Sequence, residues 1–551
     1  MGVPVARVTR RKFLVGGASI AASAAAFAAA RWPGSAWAES LISRADAPAE
    51  SSIPHFAPPE FTTDDAALDA AYRHAHAVLA GNVTNLLAFP DPVLIEGSVY
   101  RGVWLECAPQ EGQVYSQFFP ALGFANHRVF FEMQRADGYL PCSVKPDVAG
   151  TGQIQMVVPI AATALDLFNA FGDSKFLEDA YQACARWDDW LVRYRNTRGT
   201  GLCEGFCTYD TGHDNSPRWK GMPNRCADND ARIISPAPGL PRLCPDLSAT
   251  VFGGRLALAL MASILGRDSE SVEWFERAHT IRNAIVDRLY DPEDACFYDL
   301  DSDNKFVRVR GDVLTRVLGE HVATLPMFEE IYRKQIHNPE AFWAPFPLPS
   351  IGLNDPAFVR PIPRNSWGGA SQALTALRAP RWMEFYEKPA DLSYLMSQWV
   401  EAIVRSGDFY QQLDPLTGEC TKVGDPGGYS PAALVLLDFV WRLYGVTRVD
   451  KQMAWSCRAP AKSTKTVASV KAPRGMAELQ HASASSSLTL AGKPLMRVFG
   501  TARIMTDLDG KPLEIHGTAD GPVDVRVVWP SGKESKIRIA PNKTRALRSP
   551  D

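Results

Sequence analysis

From about residue 62 to about residue 447, apolar side chains return every three or four positions. That period is the one an α-helix needs to bury one face. Leu177, Tyr181, Cys184, Trp187, Leu191 and Tyr194 share one such face, and Trp274, Ala278, Ile281, Ile285 and Leu289 share another. Similar stretches fall near 64–80, 116–134, 158–172, 247–266, 324–336, 368–378, 383–406 and 430–445. Turns as short as Gly172-Asp173-Ser174 and Gly266-Arg267-Asp268 join neighbours, so consecutive helices fold back as antiparallel hairpins. Roughly ten to twelve helices with no strands between them are expected to stack and close. The expected fold is mainly α, an (α/α)6 toroid of helical hairpins, with a small C-terminal β unit. Loops at one end of such a toroid converge on a central cleft.

The connections at 82–115, 135–157, 197–245, 337–367 and 407–429 are long and rich in Trp, Gly, Pro, Asp and Glu, as loops that build a site are. After Cys457 the composition shifts. Residues 458–486 read as a flexible linker, and 487–551 as a β-rich unit built on runs such as Val523-Asp-Val-Arg-Val-Val528. Ahead of the helical domain (39–457), residues 1–38 read as a twin-arginine signal peptide. Arg10-Arg11-Lys12 precedes an Ala-rich stretch that ends in the cleavage pattern Ala36-Trp37-Ala38. This predicts passage through the twin-arginine export machinery, a periplasmic or secreted protein, and no membrane attachment after cleavage. A formal net charge of −3 leaves no basic field for nucleic acid.

All ten cysteines fall after the signal, and Cys203, Cys207, Cys226 and Cys244 cluster in one loop. Disulfides are the first expectation in an oxidising compartment; a tetrathiolate zinc site is the sharper alternative, but it lacks the usual C-x2-C pairs. Between them lies Thr211-Gly-His213-Asp214-Asn-Ser-Pro-Arg218-Trp219. Hydrolysis of a glycosidic bond needs a carboxylic acid to protonate the leaving oxygen and a second carboxylate for water or the sugar. Asp214, flanked by aromatic residues that can desolvate it, suits the acid; an ordinary turn suits the same residues. Asp299-Leu-Asp301-Ser-Asp303-Asn304 begins like a calcium loop but lacks its sixth-position Gly and twelfth-position Glu. No cofactor or metal is called for.

Several blocks in order resemble the trehalase-like (α/α)6 glycosidases, glycoside hydrolase family 63 and the bacterial mannosylglycerate hydrolase-like enzymes, across about residues 95 to 446. Trp104-Leu105-Glu106 stands where the family has Trp-x-Asp. Gln134-Arg-Ala-Asp137-Gly138-Tyr-Leu-Pro141 is similar to its Q-x-x-D-G-x-x-P. Residues 211–219 resemble its S-G-x-D-N-S-P-R-W, and Asp246-Leu247, Arg364-Asn-Ser-Trp367, Asp414-Pro-Leu-Thr417-Gly and Tyr429-Ser-Pro follow.

The resemblance implies a carbohydrate substrate, inversion at an α-linked small or terminal sugar, and Asp214 as general acid. It also implies a Glu base shortly before Asp414. That position holds Gln411, and an amide orients water but cannot take its proton. Glu106, Glu111 and Glu419 are candidate substitutes. Trp104, Glu106, Glu111, His213, Arg218, Trp219, Trp367, Glu419 and Tyr429 are the expected substrate-binding residues. Two other functions stand beside the glycosidase. A glycan-binding protein without catalysis would follow from Gln411, and a polysaccharide lyase could use His213 and Tyr209.

Overall fold

The computed structural model describes residues 57–550 except 87, 88, 450 and 483. The signal peptide expected at 1–38 lies outside the described residues. The helices are α1 (Ala66–Gly81), α2 (Ala108–Tyr115), α3 (Pro120–Glu132), α4 (Ile160–Phe171), α5 (Ser174–Tyr194), α6 (Pro245–Ile264), α7 (Asp268–Leu289), α8 (Val313–Gly319), α9 (Leu325–Ile331), α10 (Ala373–Met383), α11 (Pro389–Ser406) and α12 (Ser430–Tyr444). Their ends follow local chemistry. Gly172 stops α4 in the left-handed conformation at φ 75°, and Asp173 caps α5 by accepting from the Phe176 N–H.

The even-numbered helices pack in succession, α2 on α4, α4 on α6, and so on to α12, which packs back on α2. The odd-numbered α1, α3, α5, α7 and α11 lie on α12, α2, α4, α6 and α10. Burial separates the two sets: 16 of 20 residues in α6 are buried, against 6 of 22 in its partner α7. An all-round apolar helix such as α6 is long and apolar enough to cross a membrane; here its apolarity matches its place in the protein core. The periodicity reading misses α2 and α8. α2 buries Gln110 and Glu111 along with its apolar face, so no apolar stripe marks it.

The C-terminal region is larger than the sequence suggests. Strands β1 (Glu60–Thr63), β2 (Val446–Val449), β3 (Gln452–Cys457), β4 (Lys465–Ala472), β5 (Gly475–Ala482), β6 (Ser485–Leu490), β7 (Lys493–Phe499), β8 (Ala502–Asp507), β9 (Pro512–His516), β10 (Val523–Val528), β11 (Glu534–Ile539) and β12 (Thr544–Ala546) form two sheets. One runs β1-β4-β5-β6-β7-β10-β11, the other β2-β3-β8-β9-β12, with antiparallel pairing. Trp455, Leu479, Val498, Ile504 and Val527 share their core. The linker expected at 458–486 is therefore corrected: most of it is β4 and β5. Its inward positions are Thr466, Ala468, Ala477, Leu479 and His481, mostly too small or too polar to read as a strand face. The sheets dock on the helices through Arg503, which clamps Glu384 at 2.6 and 2.7 Å, and through Asn542, which accepts from the Ala390 N–H at 2.8 Å.

Candidate active site

The loop after α5 is held by two buried arginines. Arg195, the residue that ends α5, is fully buried and forms an ion pair with Asp210. The Asp210 carboxylate also accepts from the backbone N–H groups of Ile154, Phe206 and Cys207 at 2.8, 2.6 and 3.2 Å. Arg218 spends its guanidinium on Asp246 at 2.7 and 2.7 Å, on Asp299 at 2.7 and 2.6 Å, and on His213 Nδ1 at 2.9 Å. A guanidinium can only donate, so His213 Nδ1 accepts and its proton sits on Nε2, facing Asp312. Burial and the cations Arg316 and Arg218 push the imidazole down to about 4, so it is neutral. Trp219 is buried, donates Nε1–H to Thr211 at 2.9 Å and carries Arg242 4.8 Å from its ring centroid. His213, Arg218 and Trp219, expected at the ligand, spend polar atoms inside the protein, on Asp312, on Asp246 and Asp299, and on Thr211. Each is at most 4% exposed.

Asp214 itself is part-exposed. Desolvation raises its carboxyl to about 6, tempered by a hydrogen bond donated from Asn365 at 3.1 Å. Its backbone carbonyl accepts from Trp367 N–H at 3.2 Å, and the Trp367 ring rests on His213, centroids 5.0 Å apart. Trp104 is half-buried against Trp367 and Cys107, with Lys145 5.6 Å from its ring centroid. Gln411 is buried; it donates to Asn365 Oδ1 at 2.9 Å and accepts from Tyr100 at 3.1 Å.

Three glutamates lie deeper. Glu106 is buried, with Oε2 unpartnered, and it occupies the space that a Cβ on Gly212 would need. Gly212 has φ 62°, so glycine serves both the turn and the close approach of the carboxylate. Desolvation and then the Asp214 charge raise Glu106 to about 7, while Arg378 and Arg316 pull it down. Glu96, which the sequence reading missed, lies beside it. Ligand atoms of Glu96, Glu106 and Cys107 are within 4.8 Å of one another. Burial, with Glu111 and Glu106 nearby, holds Glu96 well above the carboxylate range even though the Tyr429 hydroxyl donates to it at 2.7 Å. Its one local signal is Gly97, where a Cβ would strike Asn82 and the Gly428 carbonyl. Glu111 is fully buried, and neither of its oxygens has a nitrogen or oxygen partner. Glu419 is exposed, and none of its hydrogen bonds reaches Asp214 or Gln411.

The ten cysteines are all free, and no disulfide is formed. The four around the loop split into separate clusters. Cys207 and Cys226 touch at 3.7 Å beside Asp210, and Cys244 lies with Asp246 and Asp299. Arg195 and Arg218 already place a guanidinium in these two clusters, so each carboxylate there has its cation.

The mannosylglycerate hydrolase MGH1-like glycoside hydrolase domain matches residues 118–432. Among solved structures, the GH63 mannosylglycerate hydrolase from Thermus thermophilus in complex with Tris is 18% identical, with a TM-score of 0.56 over 67% of this chain and 99% of that one. The same enzyme with Tris and D-glycerate gives 0.55 at the same identity and coverage. A GH78 family rhamnosidase from a Bacillus species is 13% identical, with a TM-score of 0.52 over 79% of this chain and 40% of that one. No curated protein sequence matches the chain. These structures carry the fold; the family match spans more than half the chain and takes in both Asp214 and Gln411. The chain is a glycosidase and belongs to the mannosylglycerate hydrolase MGH1-like glycoside hydrolases.

Proposed function

We propose that the protein is an exported, inverting glycosidase that releases a small α-linked sugar, with Asp214 as general acid and Glu106 as proton acceptor. The closed succession of even-numbered helices supports reading the helical body as an (α/α)6 toroid. The observation that carries the site reading is the carboxylate set: Asp214 raised to about 6 beside Glu106, which has a free oxygen. Two carboxylates held in different environments are what acid and base work require.

Asp214 protonates the glycosidic oxygen as the bond to the anomeric carbon breaks. Water attacks that carbon from the opposite face and gives a proton to Glu106. Glu106 ends protonated and Asp214 ionised, and exchange with solvent resets both. Glu106, raised to about 7, holds the proton it shares with Asp214, raised to about 6, more tightly at rest, so turnover uses the minority form with the proton on Asp214. Arg378 and Arg316 favour that form by stabilising the Glu106 anion, and Glu96, held well above the carboxylate range, stays protonated beside it. The relatives named for mannosylglycerate make a short mannoside with an anionic aglycone the first substrate to try.

The test is proton NMR of mannosylglycerate and a panel of α-glucosides and α-galactosides with the wild type, Asp214→Asn and Glu106→Gln. Early β-anomer from the wild type, and a rate reduced ~10² to 10⁴-fold in either variant, is the expected result. Full activity in Asp214→Asn would refute the acid assignment. Sugar binding without turnover in the wild type would favour a glycan-binding protein.

A further inference from the structure

Four side chains from separate loops form one hydrogen-bonded line that ends on Asp214. Tyr100 donates its hydroxyl to Gln411 Oε1 at 3.1 Å, Gln411 Nε2 donates to Asn365 Oδ1 at 2.9 Å, and Asn365 Nδ2 donates to Asp214 Oδ2 at 3.1 Å. The direction of the line is forced from its last member. An ionised carboxylate only accepts, so Asn365 must turn its NH2 toward Asp214 and its oxygen toward residue 411. That oxygen needs a donor. Glutamine supplies one, whereas an ionised glutamate would set oxygen against oxygen. Gln411 then presents its own oxygen to Tyr100, whose hydroxyl must donate.

The backbone holds this line in place. Asn365 has φ 48°, a conformation that asparagine tolerates better than most residues. Its carbonyl accepts from Asn215 Nδ2 at 2.9 Å. On either side, Gln412 grips the Pro363 carbonyl at 2.7 Å and the Ser366 N–H at 2.9 Å, and Trp367 N–H reaches the Asp214 carbonyl at 3.2 Å. Gln411 itself is fixed by Ala373 N–H on its carbonyl at 3.0 Å.

We propose that Gln411 is a positioning residue which, through Asn365, sets the orientation and protonation of the Asp214 carboxyl. This rests on the reading of Asp214 as the acid. The line delivers a donor to Asp214 and favours its ionised form. When Asp214 takes up a proton on Oδ1, Oδ2 still accepts from Asn365, so the line holds the carboxyl in one orientation and leaves the hydroxyl free for the glycosidic oxygen. An amide at 411 is thus matched to Asn365, and the base work falls to a carboxylate elsewhere in the cleft.

Glu96, Glu106, Tyr100 and Tyr209 also bear electrostatically on Asp214, so the test reads the Asp214 carboxyl itself rather than a rate. Protein labelled with ¹³C at the aspartate side-chain carboxyls is titrated by NMR, with the Asp214 signal identified by its absence in Asp214→Asn. Asn365→Ala and Gln411→Glu should each raise the Asp214 midpoint, by roughly half to one pH unit. Gln411→Ala, which adds no charge, should raise it in the same direction and covers the case in which another variant does not fold. A midpoint unmoved in the folded variants would overturn the proposal. Failure of the acid assignment shows separately, as hydrolysis retained in Asp214→Asn.

Discussion

Glu111 carries a charge penalty that pH can turn on and off. It is fully buried, neither carboxylate oxygen has a nitrogen or oxygen partner, and desolvation raises its carboxyl from 4.5 to about 7, partly offset by the Cys107 thiol and by Arg378. The folded protein therefore binds that proton more tightly than the unfolded chain does. Below about pH 4 both states are protonated and the side chain contributes no pH-dependent term. Between the unfolded and folded values only the unfolded chain releases the proton, so stability falls as pH rises, and the loss levels off above about 7. At 1.36 kcal/mol per unit the loss is roughly 3 kcal/mol. Glu111→Gln removes this term and keeps the shape. Wild type and variant are melted by calorimetry at pH 4 and pH 8. The variant should gain on the wild type between the two, by about 3 °C for a chain this long. A melting difference that stays constant with pH would refute the reasoning.

Three further outcomes follow from the same geometry. Gly212→Ala drives a methyl group into the Glu106 carboxylate and strains a φ of 62°, so hydrolysis should fall by more than ~10²-fold even if the fold survives; near-normal kinetics would contradict the packing. Arg218→Met removes the shared cation of the buried Asp246 and Asp299, leaving Arg316 at 3.6 Å on Asp246 alone, and should cost about 3 to 5 kcal/mol, read as a lower melting temperature with loss of activity. The pH–rate profile should be a narrow bell, because Asp214 near 6 and Glu106 near 7 must share a single proton. Activity falls below about 6 as both become protonated, and above about 7 as both ionise. A plateau extending to pH 9 would exclude this pair.

The helical body is legible because burial of one helix face repeats an apolar residue every third or fourth position, as at Leu177 to Tyr194. α2 is not legible, since its buried side includes Gln110 and Glu111. β4 and β5 are hidden for a related reason: inward Thr466, Ala468 and Ala477 look like linker composition. In the site, the chain segment around Asp214 is readable as chemistry, but the division of labour within it is not. Asp214 reaches the cleft while His213 and Arg218 turn inward, and what decides this is carboxylates far along the chain, Asp246, Asp299 and Asp312. Glu96 is invisible for the same reason. Its neighbours Tyr429 and Glu106 are brought to it only by folding.

The pairing of β1 with β4 ties the start of the described chain to a strand some 400 residues later, Phe61 opposite Ala468. A ribosome adding about 5 to 20 residues per second needs roughly 20 to 80 seconds to cover that interval. Throughout it, the first strand waits without its sheet partner, and α1 waits for α12, the helix it rests against. Early helical hairpins can form while synthesis continues, but this seam closes only after most of the chain has emerged, ahead of the pairings of β9 to β12. A chain broken off before residue 465 would keep the Asp214 loop and still lack the strand that its own beginning pairs with.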